Sequence, residues 1–436
     1  VEKRLVLQDA TYLKRAEQEP ESASPDLRKN VSRILEDVRE NGIDAVRTYS
    51  QRFDAWNPES FRVDDETINR AKEETSPELR ASIDFSHEQV YRFAVHQRDT
   101  LSDLEVETLP GVTIGHRLIP VNDVGCYVPG GRYPLIASAV MTIATAKAAG
   151  VPRVIACAPP TKGGGIHPAQ LYAMATAGAD EIYCVGGVQA LALMAYGIDS
   201  VHPVDMVVGA GNAFVAEAKR QLFGPVGIDL LAGPSEVLVI ADESADAKLI
   251  AADLLAQAEH GPTSQVILIS DSENLAKKVI SEVEHWLDTT WPTVDVARQA
   301  WLNRAEVIVC KDREAVLNAT DTIASEHVEV QTSDDDWFFN RLTNYGSLFI
   351  GARSTVAYGD KGIGTNHVLP TDRATRYTGG LGVSKFLKTL TYQKVSAEGT
   401  KVVAPHIAAI CDAEMMAGHA ITARMRLEGE KSKAVK

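Results

Sequence analysis

VGCYV (124–128), ASAVMTIATAKAAG (137–150), RVIACAPP (153–160), PAQLYAMATAG (168–178), EIYCVGG (181–187), VQALALMAYG (188–197), DMVVGAG (205–211) and NAFVAEAKRQLFG (212–224) follow one another as short apolar runs and alanine-rich ones in alternation. Strands apolar along their whole length have no solvated face. Joined by helices, they imply a parallel sheet covered on both sides. A second series follows: EVLVIAD (236–242), a helix ending at His260, QVILISD (265–271), a helix, EVIVC (306–310), a helix, then SLFIGA (347–352). The expected class is α/β, with two duplicated, doubly wound, incomplete Rossmann-like parallel-sheet domains over 121–232 and 233–380. Residues 1–120 are expected to be a helical region contributing to the first domain. Residues 381–436 are expected to be a helical extension that reaches over a partner subunit.

Upstream, Ser24-Pro25-Asp26 and Ser76-Pro77-Glu78 are helix-start signals, each a cap, a first-turn proline and an acid. Leu27, Val31, Ile34, Leu35 and Val38 recur at helical spacing until Asn41-Gly42, where the run should stop. The tail EGEKSKAVK should fray.

Composition narrows the function. The 436 residues carry a net charge of −15, which opposes nucleic-acid binding. No apolar stretch reaches the roughly 18–20 residues that span a bilayer, and the charged start VEKRLVLQDATYLKRAEQEP has no signal-peptide core. The five cysteines are scattered without a C-x-x-C pair, a usage that suits a reducing compartment. Cytoplasm is the expected location.

Glycine clusters follow several strands: Pro129-Gly130-Gly131, Gly186-Gly187 and Gly209-Ala210-Gly211-Asn212. Helix N-termini there could receive a phosphate, although none reads G-x-G-x-x-G, and Lys162-Gly163-Gly164-Gly165 is not a Walker loop. On spacing alone, ordinary strand–helix turns are the default reading. Gln257 and His260 sit three apart on one expected helix, where both could face a metal or simply end the helix. Glu326-His327, at a helix–strand boundary, could divide acid–base labour or be a solvated pair. Asp360, Asn366 and His367 lie in YGDKGIGTNHVLP (358–370), read as a polar, glycine-punctuated loop of the kind that carries function. Glu414 and His419 fall in AEMMAGHA, a helical stretch whose default reading is an exposed face. These residues alone indicate an α/β enzyme, with nucleotide and metal left open.

As whole strings, VGCYVPGGRYPL (124–135), VGGVQALALMAYG (185–197), VVGAGNAFVAEAKRQLFG (207–224), GIDLLAGPSEVLVIAD (227–242), AADLLAQAEHGP (251–262), SEHVEV (325–330), NHVLPT (366–371) and LGVSKFLK (381–388) resemble the histidinol dehydrogenase family. They occur in order over 25–427. The resemblance implies an oxidoreductase that uses one zinc per site and two NAD molecules in sequence, taking a primary alcohol through the aldehyde to the acid. It implies Gln257, His260, Asp360 and His419 as zinc ligands, His419 arriving from the neighbouring subunit of an intertwined homodimer. Glu326 and His327 match the family's acid–base pair. Tyr127, Gln189 and Asn212 match its NAD contacts, placing NAD in 121–232, and Ser235, His367 and Glu414 match substrate positions.

Three strings depart from the histidinol enzymes. Glu259-His260-Gly261-Pro262 replaces E-H-D-P, Gly364-Thr365-Asn366-His367 replaces A-G-P-N-H, and DRATRYTGGL (372–381) replaces G-G-T-A-R-F-S-S-P-L. Histidinol is a cation, which added arginines repel and an anion would welcome. The strings look more like the branch that oxidises 2,3-dihydroxypropane-1-sulfonate to sulfolactate, with Arg117, His116 or Arg373 as sulfonate donors. Histidinol itself is the alternative, favoured by Glu414. A catalytically inactive binding protein is the alternative of another class.

Overall fold

The computed structural model describes residues 7–18, 25–130, 133–162 and 164–433. Ser24, Gly131 and Gly163, used in the cap and turn readings above, lie outside them. Strand β1 (Ala10–Lys14) is followed by helices Pro25–Asp54, Asp65–Glu74 and Pro77–Asp99. Ser76 caps the third by accepting from Leu79 N, with Pro77 in its first turn, as the Ser-Pro-Glu string predicts. Asn41-Gly42 does not stop the first helix. Gly42 adopts φ 58° and ψ −134°, kinking a helix that runs on to Asp54. Val46 and Tyr49 beyond the kink are buried with Leu191 and Leu193, and that packing outweighs the glycine's cost.

Strands β2 (Leu104–Leu109) and β3 (Val112–Pro120) then form an antiparallel hairpin. The first parallel sheet holds β4 (Asp123–Tyr127), β5 (Arg153–Ala158), β6 (Glu181–Cys184), β7 (Met206–Val208) and β8 (Gly227–Ile228), in the order β6-β5-β4-β7-β8. The second holds β9 (Glu236–Ala241), β10 (Gln265–Ser270), β11 (Ala305–Cys310), β12 (His327–Gln331) and β13 (Ser347–Ile350), in the order β1-β11-β10-β9-β12-β13. Leaving β1 aside, each sheet runs third-second-first-fourth-fifth in chain order. The duplicated α/β class expected from the apolar runs is therefore the observed architecture.

Three expectations are corrected. β1 pairs antiparallel with β11, so the chain's start joins the second sheet and not the first. Residues 104–120 are extended rather than helical. After residue 380 comes strand β14 (Leu387–Val395), which pairs with β3 before the helices Ala397–Ala413 and Ala417–Lys433. β2 is exposed at every position and β14 nearly so, leaving no buried apolar face for a pattern to reveal. The stretch expected to fray is helical to Lys433. The two final helices pack on each other with Ile407, Ile410, Ile421 and Met425 exposed.

Every residue of β9 is buried, and the apolar sides of the second sheet pack into separate clusters on its two faces. Along β12 the period of two puts Val328 and Val330 toward one cluster and His327, Glu329 and Gln331 toward the other face. Glu329 is fully buried beside Asp253 of helix Ala247–Ala258, and burial followed by the Asp253 charge pushes its carboxyl up to about 8. A carboxyl raised on folding is protonated in the folded chain and ionised in the unfolded one, so stability falls as pH rises from about 4.5 to 8. The thermal midpoint of Glu329→Gln should therefore gain on wild type across that window. A difference independent of pH would contradict this assignment.

All five cysteines are free and buried. Among the described residues, no helix is long and apolar enough to cross a membrane.

Candidate active site

The chemistry-bearing residues gather at the amino end of the second sheet, where β9 begins at Glu236 and β12 at His327. Glu326 and His327 are both buried, so they are not a solvated pair. Glu326 Oε2 accepts from Ser235 Oγ at 2.7 Å and from Glu236 N at 2.9 Å. Burial raises its pKa against the opposing pull of His327. His327 Nδ1 lies 2.8 Å from the Glu236 carbonyl, an acceptor only, so Nδ1 carries the hydrogen and Nε2 is left to act. Nε2 is buried, 3.4 Å from Asp360 Oδ1, without a well-aligned hydrogen bond. Burial opposes charge on this ring, yet Glu326 and Asp360 outweigh it and push the pKa up to about 9.

Asp360 sits in the short helix Val356–Lys361 and is buried, correcting the reading of 358–370 as an exposed polar loop. Burial would raise its pKa, but His327 outweighs that and keeps it ionised. Gln257 occupies the last turn of Ala247–Ala258, and its Nε2 donates to Ser235 Oγ, leaving Oε1 for another partner. His260 lies just past that helix's C-cap Glu259, not within the helix, and its N donates to Gln257 O at 3.2 Å. Desolvation drives its pKa down to about 4, although much of the residue's surface is open, with Asp360 pulling the other way and Lys361 adding to the drop. His367 bridges the halves of the molecule. Its Nδ1 meets the Asp360 carbonyl at 2.8 Å and its Nε2 meets Ser138 Oγ at 2.9 Å, on helix Ile136–Ala148 after β4. Asn366 is structural, donating to Met141 O and Thr145 Oγ1 on the same helix.

A second group forms at the carboxyl end of the first sheet. The helix Gly187–Tyr196 starts at Gly186, which has no side chain to cap it. Tyr127 Oη accepts from Gly187 N at 3.2 Å. Gln189 is 1% exposed, its Nε2 3.4 Å from Asp54 Oδ2 and its Oε1 buried without a partner. Asn212 caps helix Ala213–Leu222, its Oδ1 accepting from Phe214 N and Val215 N. The turn ahead of it is clamped by a buried ion pair. Lys219 Nζ lies against Asp229 Oδ1 and donates to Gly209 O at 2.9 Å, while Asp229 Oδ2 accepts from Gly209 N at 2.8 Å.

The remaining predicted residues are not drawn into either group. Glu414 and His419 are exposed at and after the turn between the last two helices. Arg117 and His116 lie on β3 opposite Leu390 and Thr391 of β14, Arg117 exposed. Arg373 follows Asp372, and both adopt left-handed backbone, with φ 63° and 52°. Asp372 N donates to Glu236 Oε1 at 3.0 Å and Thr375 Oγ1 to Ala324 O at 2.8 Å, which ties this strained segment to residues flanking the acid–base pair. Arg373 Nε is buried without a hydrogen-bond partner.

The histidinol dehydrogenase family model matches residues 17–427. The chain belongs to that family. A histidinol dehydrogenase homolog of Shouchella clausii is 49% identical over 422 residues, 96% of this chain and 99% of the relative. A sulfopropanediol 3-dehydrogenase of Ruegeria pomeroyi is 46% identical over 417 residues, 95% of this chain and 96% of the relative. The crystal structure of histidinol dehydrogenase from Elizabethkingia anophelis superposes with a TM-score of 0.89 at 34% identity, covering 94% of each chain. This member of the histidinol dehydrogenase family is thus a dehydrogenase.

Sequence reasoning missed several neighbours of the site. Glu236 is buried, and burial and the Glu326 charge push its carboxyl up to about 8 while it accepts from Glu326 N at 3.2 Å. Its place directly after Ser235 was the available signal. Ser138 and Asp54 carried none, since both reach their partners from elements remote in sequence.

Proposed function

We propose that this chain oxidises the primary alcohol of 2,3-dihydroxypropane-1-sulfonate to sulfolactate, in two NAD-linked steps through a bound aldehyde. The observation that carries this reading is the 46% identity, over 95% of the chain, to a relative named sulfopropanediol 3-dehydrogenase. The arginine-bearing stretch DRATRYTGGL (372–381) supports it, because Arg373 keeps an unpartnered buried Nε close in sequence to a segment bonded at Glu236. A sulfonate offers weakly basic oxygens that suit a guanidinium better than a metal.

The donor set fits zinc. His260 is held neutral and Asp360 ionised, the forms that ligate, and Gln257 has its carbonyl oxygen to offer. Among the described residues no three His, Cys, Asp or Glu side chains converge on a metal position, so the chain alone leaves the tetrahedral set short. His419 from a second copy would complete it, on a helical hairpin whose apolar residues are exposed; we therefore propose a homodimer. Zinc would supply a positive template for the vicinal hydroxyls, and NAD the hydride acceptor.

The protein's own part follows from the geometry. His327 Nε2 would take the hydroxyl proton, its orientation fixed by Nδ1–H to the Glu236 carbonyl. Glu326 would take a proton from the water that adds to the aldehyde, and His327 would serve again in the second oxidation. Ser235 would orient Glu326 while holding Gln257. Tyr127, Gln189 and Asn212 would receive NAD at the first sheet's carboxyl edge. The five buried free thiols favour the cytoplasm.

The alternative, L-histidinol, is favoured by Glu414, whose carboxylate would suit its ammonium group. NADH release on zinc-loaded protein, with each substrate side by side, separates the readings. Two NADH per sulfonate diol is the expected result, and turnover of histidinol alone would overturn it. Protein that binds no zinc and turns over neither would be an inactive family member.

A further inference from the structure

The polar face of β12 continues past His327 into two acids that the chemistry above does not use. Glu329 is 0% exposed, and its Oε1 accepts from Val356 N at 3.1 Å, the first residue of helix Val356–Lys361. Thr355, the N-cap of that helix, makes no capping bond of its own. Its hydroxyl instead donates to Asp253 Oδ1 at 3.1 Å. Gln331 Nε2 spans the two carboxyl groups, 2.9 Å from Asp253 Oδ2 and 3.2 Å from Glu329 Oε2. The acids thus do the work of a cap, holding both residues at the start of the helix. Asp360 lies four residues after Val356, one turn along, and meets His327 Nε2 at 3.4 Å.

We propose that Asp253 and Glu329 are a positioning pair which, bridged by Gln331, seats the start of Val356–Lys361 and so holds Asp360 in register with His327 and His260. Gln331 Nε2 bridges the two carboxyls, and burial raises both pKa values. Two buried acids are a costly way to fill a core, where apolar residues of like volume cost less. Their retention here is explained by the helix they anchor. Asp253 also stands one turn before Gln257, so the same helix carries an anchor for Asp360 and a donor beside it.

The proposal rests on reading Asp360 as a metal ligand, and the experiment separates the two. Zinc affinity is measured on the full-length protein by competition with a chelator, alongside kcat and the KM for NAD. Glu329→Gln keeps an acceptor for Val356 N and brings a permanent donor for Asp253, so it should stay close to wild type. Glu329→Leu offers neither and should bind zinc about 10–100-fold more weakly, with kcat falling and the KM for NAD unchanged. A folded Glu329→Leu with wild-type zinc affinity would overturn the proposal, as would a Glu329→Gln equally impaired. Should Glu329→Leu not fold, Thr355→Val removes one anchoring hydroxyl, and undiminished zinc affinity there would overturn it too. Asp360→Ala is the control. If it binds zinc normally, the ligand reading fails; if it loses zinc while the anchor variants do not, the positioning proposal fails.

Discussion

His327→Ala should lose turnover by about 10²–10⁴-fold while still binding zinc, because it removes the base and none of the proposed ligands. The ring has what a base needs: one nitrogen fixed by the Glu236 carbonyl at 2.8 Å, the other buried and free of a well-aligned bond. Its pKa of about 9 is set by Glu326 and Asp360 overcoming burial. A metal held by Asp360 would draw on the same carboxylate charge and bring the ring down toward the working range. Stopped-flow measurement of the first NADH, with zinc counted in the same sample, tests the assignment. Near-normal turnover would remove His327 from the chemistry. Glu326→Gln should differ in kind, releasing one NADH per substrate and stalling at the aldehyde.

Lys219→Met should cost about 3–5 kcal/mol of stability, since it leaves the buried Asp229 carboxylate without its cation. The damage would be local to the nucleotide side. Gly209, whose N–H and C=O are both held by this pair, has φ 116°, and a Cβ there would lie 2.2 Å from the Tyr127 carbonyl. The turn that sets Asn212 and backs Tyr127 would lose both tethers. Urea unfolding midpoints give the stability, and the KM for NAD should rise with little change in zinc affinity. Lys219→Met combined with Asp229→Leu should recover part of the loss, because no charge is then stranded. A single variant as stable as wild type would mean that the pair is solvated in solution.

Most strands of the sheets were legible because they are apolar on both faces, as in VLVIA of β9 and VIACA of β5. β2 and β14 were not, for their side chains meet solvent and leave no contrast between faces. The Gly42 kink was misread because a glycine's local preference cannot report the packing of Val46 and Tyr49 beyond it. At the site, Gln257, Glu326, His327 and Asp360 stood out as candidates but took their roles only from the resemblance, and Ser235 was found only as part of a long familiar string. Spacing alone left each of them ambiguous. What joins them is pairing across β9 and β12 and the reach of helix Val356–Lys361, neither of which is local. Glu329 and Asp253, 76 residues apart by their numbers, were invisible for the same reason.

The buried cysteines give the molecule its own clocks. Desolvation holds Cys126 and Cys184 up at about 12 and Cys310 at about 11, so the reactive thiolate is scarce as well as shielded at neutral pH. Alkylation of these thiols must wait for the surrounding structure to open. Cys126 and Cys184 sit in β4 and β6 of one sheet and Cys310 in β11 of the other. The order in which a mass-resolved alkylation series marks them would show whether the duplicated halves breathe together or one at a time.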